Sequence, residues 1–212
     1  MPDHDSLAII NTYSALSGCY LPPDENLAAL VNQLEEHLES WVPQGRETLK
    51  SMIADLGKQS NGLAEMNLDY TRLFLGPFGT LAPPFGSVYL NPGKRMIMDE
   101  TTEEAARMYH QAGLDLDLQF NNPADHITAE LEFMHYVHHQ EQAALNEGNK
   151  PKAHEFKTLR QDFFRKHIGK WGPTFCNKVE QAAQTDFYKG LGTLTRLVLA
   201  AEAKAHEVSS MR

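Results

Sequence analysis

The sequence predicts an all-α protein: one helical bundle of about nine helices. Three observations lead there. Apolar residues recur at i, i+3 and i+4 through most of the 212 residues. No run alternates between apolar and polar long enough to build a sheet. Proline and glycine fall between the periodic stretches rather than within short extended ones, which marks helix ends.

The elements follow in order. Residues 6–20 read as a first helix, with Leu7, Ile10 and Leu16 on its apolar side and Pro22-Pro23 ending it. Asp24 is placed to cap a second helix over 25–40, carrying Leu27, Leu30, Val31, Leu34 and Leu38. Trp41-Val42-Pro43 breaks it, and a third helix spans 45–58. Ser60-Asn61-Gly62 reads as a turn before a fourth helix over 63–75. Residues 76–99 form a long connection. The Thr101-x-x-Glu104 capping box opens a fifth helix that Gly113 closes. After a second connection, 114–121, Asn122 is a good cap and Pro123 a good first residue for a sixth helix reaching about Asn146. Gly148-Asn149-Lys150-Pro151 turns the chain into a seventh, 152–168. Gly169 and Gly172-Pro173 set off an eighth, 174–185, and a ninth covers 187–204. One domain, 1–205, is expected, with a polar, frayed tail over 206–212.

Composition narrows the function. Apolar residues make up 42%, enough for a core that needs no cofactor to hold it. Acidic residues outnumber basic ones 28 to 19, a net charge of −9, which speaks against nucleic acid and for a positively charged partner. Cys19 and Cys176 are far apart and form no CxxC, so reduced thiols are expected. The acidic start, Met1-Pro2-Asp3-His4-Asp5, lacks an export signal's basic region, and no stretch is long and apolar enough for a membrane span. A cytoplasmic location is the expectation. Neither nucleotide-binding glycine fingerprint occurs.

Two regions carry candidate chemistry. The first is the connection after the fourth helix: Tyr70, Leu73 and Phe74 share a helix face, Gly76-Pro77 ends it, and Phe78, Leu81, Phe85, Val88 and Tyr89 follow. Loops in water are polar, so an aromatic, proline-stiffened one is expected to line a groove or to complete the core. The second is Pro123-x-Asp125-His126, with Glu130 and Glu132 after it. Asp125 suits a positive helix end or a plain capping role, and His126 can titrate near neutral pH. A competing reading is a metal-dependent enzyme built on Glu132, His135 and His138 or His139. Glu-x-x-His places both side chains on one helix face, but a second such pair on a facing helix is missing.

These two regions also carry a resemblance. Tyr70-x-x-Leu73-Phe74-x-Gly76-Pro77, then Ala82-Pro83-Pro84-Phe85-x-Ser87-Val88-Tyr89, and later Pro123-x-Asp125-His126 resemble the signature segments of the TorD/DmsD redox-enzyme maturation chaperones. The resemblance implies a TorD-like helical fold and no catalysis, cofactor or metal. It implies a cytoplasmic chaperone that binds the twin-arginine signal peptide, and the apo form, of a molybdenum-cofactor oxidoreductase and delays export until the cofactor is inserted. A monomer or domain-swapped dimer is implied; the client enzyme stays open. Carried over residue by residue, the implied peptide site is Leu73, Phe74, Pro84, Phe85, Tyr89, Pro123, Asp125, His126 and Glu130. The apolar members would take the peptide's apolar segment, and Asp125 with Glu130 or Glu132 its guanidiniums. The sequence departs from the pattern at Ala124, where relatives often carry an acid, and at Phe85, where many have Trp or Tyr.

Overall fold

The computed structural model describes residues 4–58, 63–76, 79–91, 99–114 and 122–210. Ten α-helices build it: α1 (His4–Cys19), α2 (Leu27–Leu38), α3 (Arg46–Gly57), α4 (Ala64–Tyr70), α5 (Gly86–Leu90), α6 (Glu100–Gln111), α7 (Ile127–Asn146), α8 (Lys150–Lys166), α9 (Ile168–Ala182) and α10 (Asp186–Ser210). A 3-10 turn, Pro43–Gly45, leads into α3, and one π-helical turn, Thr71–Leu75, extends α4. No strand occurs among the described residues, so the all-α expectation holds. The expected turn at Ser60-Asn61-Gly62, together with Pro77, Phe78 and most of the 114–121 connection, lies outside them.

α1 lies between α2 and α7, α7 packs on α8, and α10 packs on both α9 and α3. The sequence periodicity explains this layering. Leu27, Val31, Leu34 and Leu38 put one stripe of α2 into the core. Along α9, Ile168, Trp171, Phe175, Cys176 and Val179 do the same. Tyr13, Tyr20, Phe163, Trp171, Phe175, Phe187 and Tyr188 are all buried and form an aromatic centre. Each such ring contributes several kcal/mol, since truncating a buried Phe or Trp to Ala costs about 3–5 kcal/mol.

Several boundaries differ from the sequence reading, each for a physical reason. The cap of α6 is Asp99, whose carboxylate accepts the Thr101 amide at 2.9 Å; Thr101 is already helical. α2 starts at Leu27, and Asp24 instead accepts the Asn26 amide in the preceding turn. α7 begins only at Ile127, with His126 as its cap, because Ala124–Ile127 is drawn into contacts with the loop before α5. Gly169, Gly172 and Pro173 sit inside α9. A Cβ on Gly172 would come within 2.6 Å of Leu199, and one on Gly169 within 2.5 Å of the Phe164 carbonyl. These glycines permit close packing; they do not turn the chain. Gly76 is no left-handed cap either: its φ is 8°, and a Cβ there would strike the Gly79 carbonyl at 2.4 Å. Gly113 does close its helix with a φ of +81°. The expected polar tail is the end of α10, where His206 bonds Glu202 and packs edge-on against Phe164.

Candidate functional site

The two sequence regions meet. The Ile127 amide donates to the Pro84 carbonyl at 2.9 Å, and the Gly86 amide to the Asp125 carbonyl at 2.8 Å, pairing Phe85 antiparallel with His126. The Asp125 carboxylate accepts the Ser87 amide at 2.7 Å and so fixes the start of α5 from 38 residues away. Phe85 lies edge-on to the His126 ring, 5.2 Å between centroids. The Tyr109 hydroxyl donates to the Ala124 carbonyl at 2.7 Å. Below, Trp171 Nε1 donates to Glu130 at 2.8 Å, and Tyr89 stacks on the Trp171 ring. Gly86 is required here, because a Cβ would lie 2.9 Å from Trp171 Nε1.

This corner is interior. Asp125 and Glu130 are 1% and 0% exposed, so in this conformation neither carboxylate can reach a guanidinium in solvent. Leu73 and Phe74 are core residues too, with Phe74 set among Tyr20, Tyr70, Phe175 and Tyr188. Pro84 and His126 are buried; Phe85, Tyr89 and Pro123 are half-buried. The nine residues therefore do not line one open groove, and the expected groove of Leu73, Phe74, Phe85 and Tyr89 is filled by the core itself.

The electrostatics of the corner favour neutral groups. Burial pushes the Glu130 carboxyl well above its ordinary value, with Asp125 adding and the Trp171 bond opposing. Burial lowers His126 to about 4, against the pull of Asp125, and lowers His167 to about 4. Burial thus works against the charged forms of both partners where His167 Nδ1 approaches Glu130 Oε1 at 3.8 Å. Ser87 Oγ, Asp125 Oδ1, Glu130 Oε1 and both His167 nitrogens lack a hydrogen-bond partner among the described residues.

The open surface lies on another side of α7. A groove of about 730 Å³ runs between α1 and α7, floored by Ser14, Ser17 and Gly18 of α1 and by Thr128, Ala129, Phe133 and Tyr136 of α7. Leu21, Leu30, Tyr109 and Leu114 complete the wall, and Leu21 is 46% exposed. The groove is mostly apolar; among the described residues no lysine or arginine lines it, and its ionisable groups there are Glu132, His135 and the phenols of Tyr109 and Tyr136. α1 and α7 run antiparallel, joined by Ser17 Oγ to the Thr128 carbonyl at 3.1 Å and by His135 Nδ1 to the Ile10 carbonyl at 2.9 Å. Thr128 links the two regions, since its amide and hydroxyl also meet His126 Nδ1.

The metal reading separates into parts. Glu132 and His135 face the groove, whereas His138 bonds Glu202, and no three metal-ligating side chains converge among the described residues. Burial alone would raise Glu202, but His138, His206 and Arg160 hold it well below the usual carboxylate range. Arg160 also bonds Glu141 at 2.9 Å, so this cluster is a paired structural network tying α7, α8 and α10.

Sequence reasoning missed the groove. Its signal was the small stripe Ser14-x-x-Ser17-Gly18 at helical spacing, followed by Leu21 just before Pro22-Pro23. Small residues on a helix face leave room unless a neighbour fills it. Here Gly18 lets Leu30 approach to 2.8 Å of where a Cβ would stand, and the space beside it stays open.

The described residues thus form an all-helical protein with no helix long and apolar enough to cross a membrane, a locked loop-to-helix corner and an open, mostly apolar groove. Residues 44–177 match the nitrate reductase delta subunit family, and the chain belongs to that family, among the TorD/DmsD redox-enzyme maturation chaperones. It is 27% identical over 182 residues to the Tat proofreading chaperone DmsD of Salmonella typhi, covering 85% of this chain and 81% of that one. It is 29% identical over 199 residues to the perchlorate reductase assembly chaperone protein of Dechloromonas aromatica (88% and 84%). It is 28% identical over 174 residues to chaperone protein TorD of Escherichia coli O8 (82% and 72%). In fold it is similar to the crystal structure of a candidate redox enzyme maturation protein from Archaeoglobus fulgidus, with a TM-score of 0.57 at 19% identity over 94% of this chain and 96% of that one.

Proposed function

We propose that this chain is a cytoplasmic, non-catalytic chaperone that binds the twin-arginine signal peptide of a molybdenum-cofactor oxidoreductase, together with the apo catalytic subunit, and delays export until the cofactor is in place. The names of its relatives support the chaperone class. The observation that carries the peptide reading is the groove between α1 and α7: open, mostly apolar, about 730 Å³, and without lysine or arginine among its described lining residues. An apolar signal segment fits its walls, and the net charge of −9 favours approach of a basic peptide.

The signature residues enter this reading in two roles. Phe85, Tyr89 and Pro123, which keep some surface, border the corner and meet the bound subunit. Leu73, Phe74, Pro84, Asp125, His126 and Glu130 act from behind, holding the first turns of α7 so that Thr128 and Ala129 keep their place in the groove wall. Calorimetric titration with a synthetic twin-arginine signal peptide tests the proposal. Saturable binding at about 1 μM or tighter, about −8 kcal/mol, is expected. Ala129→Trp, which fills the groove, is expected to abolish it. No saturation, or unchanged affinity in Ala129→Trp, overturns the proposal.

A further inference from the structure

We propose that Glu132 and His135 together receive one arginine side chain of the segment bound in the groove, Glu132 as counter-charge and His135 as second acceptor. The inference rests on the groove being the peptide site, and it names the chemistry that the site selects. Glu132 is exposed, lines the groove, and enters no hydrogen bond or ion pair with any described residue. Every other carboxylate discussed above is engaged: Asp125 and Glu130 in the corner, Glu202 and Glu141 with Arg160. A solvated carboxylate on an otherwise apolar wall keeps its full attraction for an incoming cation, because it has no protein partner to give up.

His135 is fixed for the same task. Its Nδ1 faces the Ile10 carbonyl at 2.9 Å. A carbonyl can only accept, so Nδ1 carries a proton, and in that tautomer Nε2 is the acceptor. Glu132 and His135 are three residues apart on α7 and therefore neighbours on one helix face. Two acceptors on neighbouring positions of one helix face, with no lysine or arginine among the described lining residues, match the planar fork of a guanidinium better than the point charge of an ammonium. The same geometry repels an anionic segment. It also assigns a purpose to the Glu-x-x-His spacing that a metal site leaves unexplained, since His138 turns away to Glu202.

The test uses two peptides and three proteins. One peptide carries an arginine pair ahead of an alanine–leucine segment of about 12 residues, a little over three helical turns; the other has citrulline, uncharged and nearly isosteric, at both arginine positions. Each is titrated into the wild-type chain, Glu132→Gln and Ala129→Trp. The wild type is expected to prefer arginine over citrulline by about fivefold, the size of a favourable, partly exposed ion pair. Glu132→Gln is expected to remove that preference by weakening the arginine peptide alone, with an unchanged thermal midpoint because Glu132 holds nothing in the fold. If Glu132→Gln keeps the preference while Ala129→Trp abolishes binding of both peptides, the groove stands and the arginine receptor is overturned. If the wild type binds neither peptide, the groove reading falls and this inference with it. Leu21→Asn, at the exposed rim, serves as the second groove variant should Ala129→Trp fail to fold, and is expected to weaken both peptides alike.

Discussion

The two sides of α7 differ in kind. One side meets the loop before α5 and is closed: Asp125, His126 and Glu130 are buried and bonded to Ser87, Thr128 and Trp171. The other side faces the groove and is open, lined by small and apolar residues and by the carboxylate of Glu132, which has no partner among the described residues. The most distinctive residues in the sequence lie on the closed side; the surface fit for a partner lies on the open one. Unusual residue patterns arise where the chain must meet demanding geometry, and a corner joining residues 38 apart demands more than a groove wall does. The difference is testable, because closed-side changes must act through stability and open-side changes through binding.

The largest effect is expected from Trp171→Ala. It removes a fully buried ring that stacks with Tyr89 and packs on Phe175, and it takes away the Trp171 Nε1 donor to Glu130. Truncation of a buried Trp costs about 3–5 kcal/mol, and the orphaned carboxyl adds about 1–3 kcal/mol. Urea denaturation is expected to show a loss at the upper end of that range, with residual peptide affinity in whatever fraction stays folded. A loss below about 1 kcal/mol breaks the picture of the closed side as the frame.

The pH dependence of stability comes next, and its sign follows from the shifts. His126 and His167 titrate at about 4 in the folded chain and near 6.5 when unfolded. Their stabilisation is present above the unfolded value and is lost as pH falls toward 4, by about 2–3 kcal/mol each at most. Glu130 runs the other way. Its folded value is raised, so its contribution is full below about 4.3 and is lost as pH rises through the raised value. Glu130→Gln is expected to remove the loss of urea midpoint that sets in as pH rises above about 4.3. An unchanged slope above that pH shows that Glu130 ionises freely and that the corner is more open than described.

The legibility of this molecule in its sequence divides along the same line. The helical class and most elements follow from periodicity, because burial of one stripe per helix is a local pattern. α5 does not, since five residues, Gly86–Leu90, give too short a period, and the bond that starts it comes from Asp125. Asn122 and Pro123 give a sound local start for α7, yet the pairing of Pro84 and Gly86 with Ile127 and Asp125 moves the start to Ile127. Gly172 and Pro173 carry the signature of a break, but the helix continues because Leu199 needs the space. The motif residues were legible as a group and the structure does bring the two segments together. Their burial was not legible, since nothing in Asp125 or Glu130 alone distinguishes a carboxylate that meets a peptide from one that meets a backbone amide.

The smallest stability effect and the sharpest test of the comparison come from a crossed pair, Asp125→Ala and Leu21→Asn. Asp125→Ala leaves the Ser87 amide without its acceptor, and a buried unsatisfied donor costs about 1–3 kcal/mol. Hydrogen exchange at residues 86–90 is expected to speed up, and peptide affinity to fall only as far as α7 loosens. Leu21→Asn changes an exposed side chain, so its stability shift is expected within about 0.5 kcal/mol, while peptide affinity falls because the groove rim loses apolar contact. The two variants should therefore separate cleanly when stability is plotted against affinity. The opposite pattern is equally informative. If Asp125→Ala abolishes peptide binding at unchanged stability, the closed corner opens to receive the peptide and Asp125 meets it directly. The loop before α5 is then the moving part, and its bonds to the start of α7 through Pro84, Gly86 and Ser87 are among those that must break.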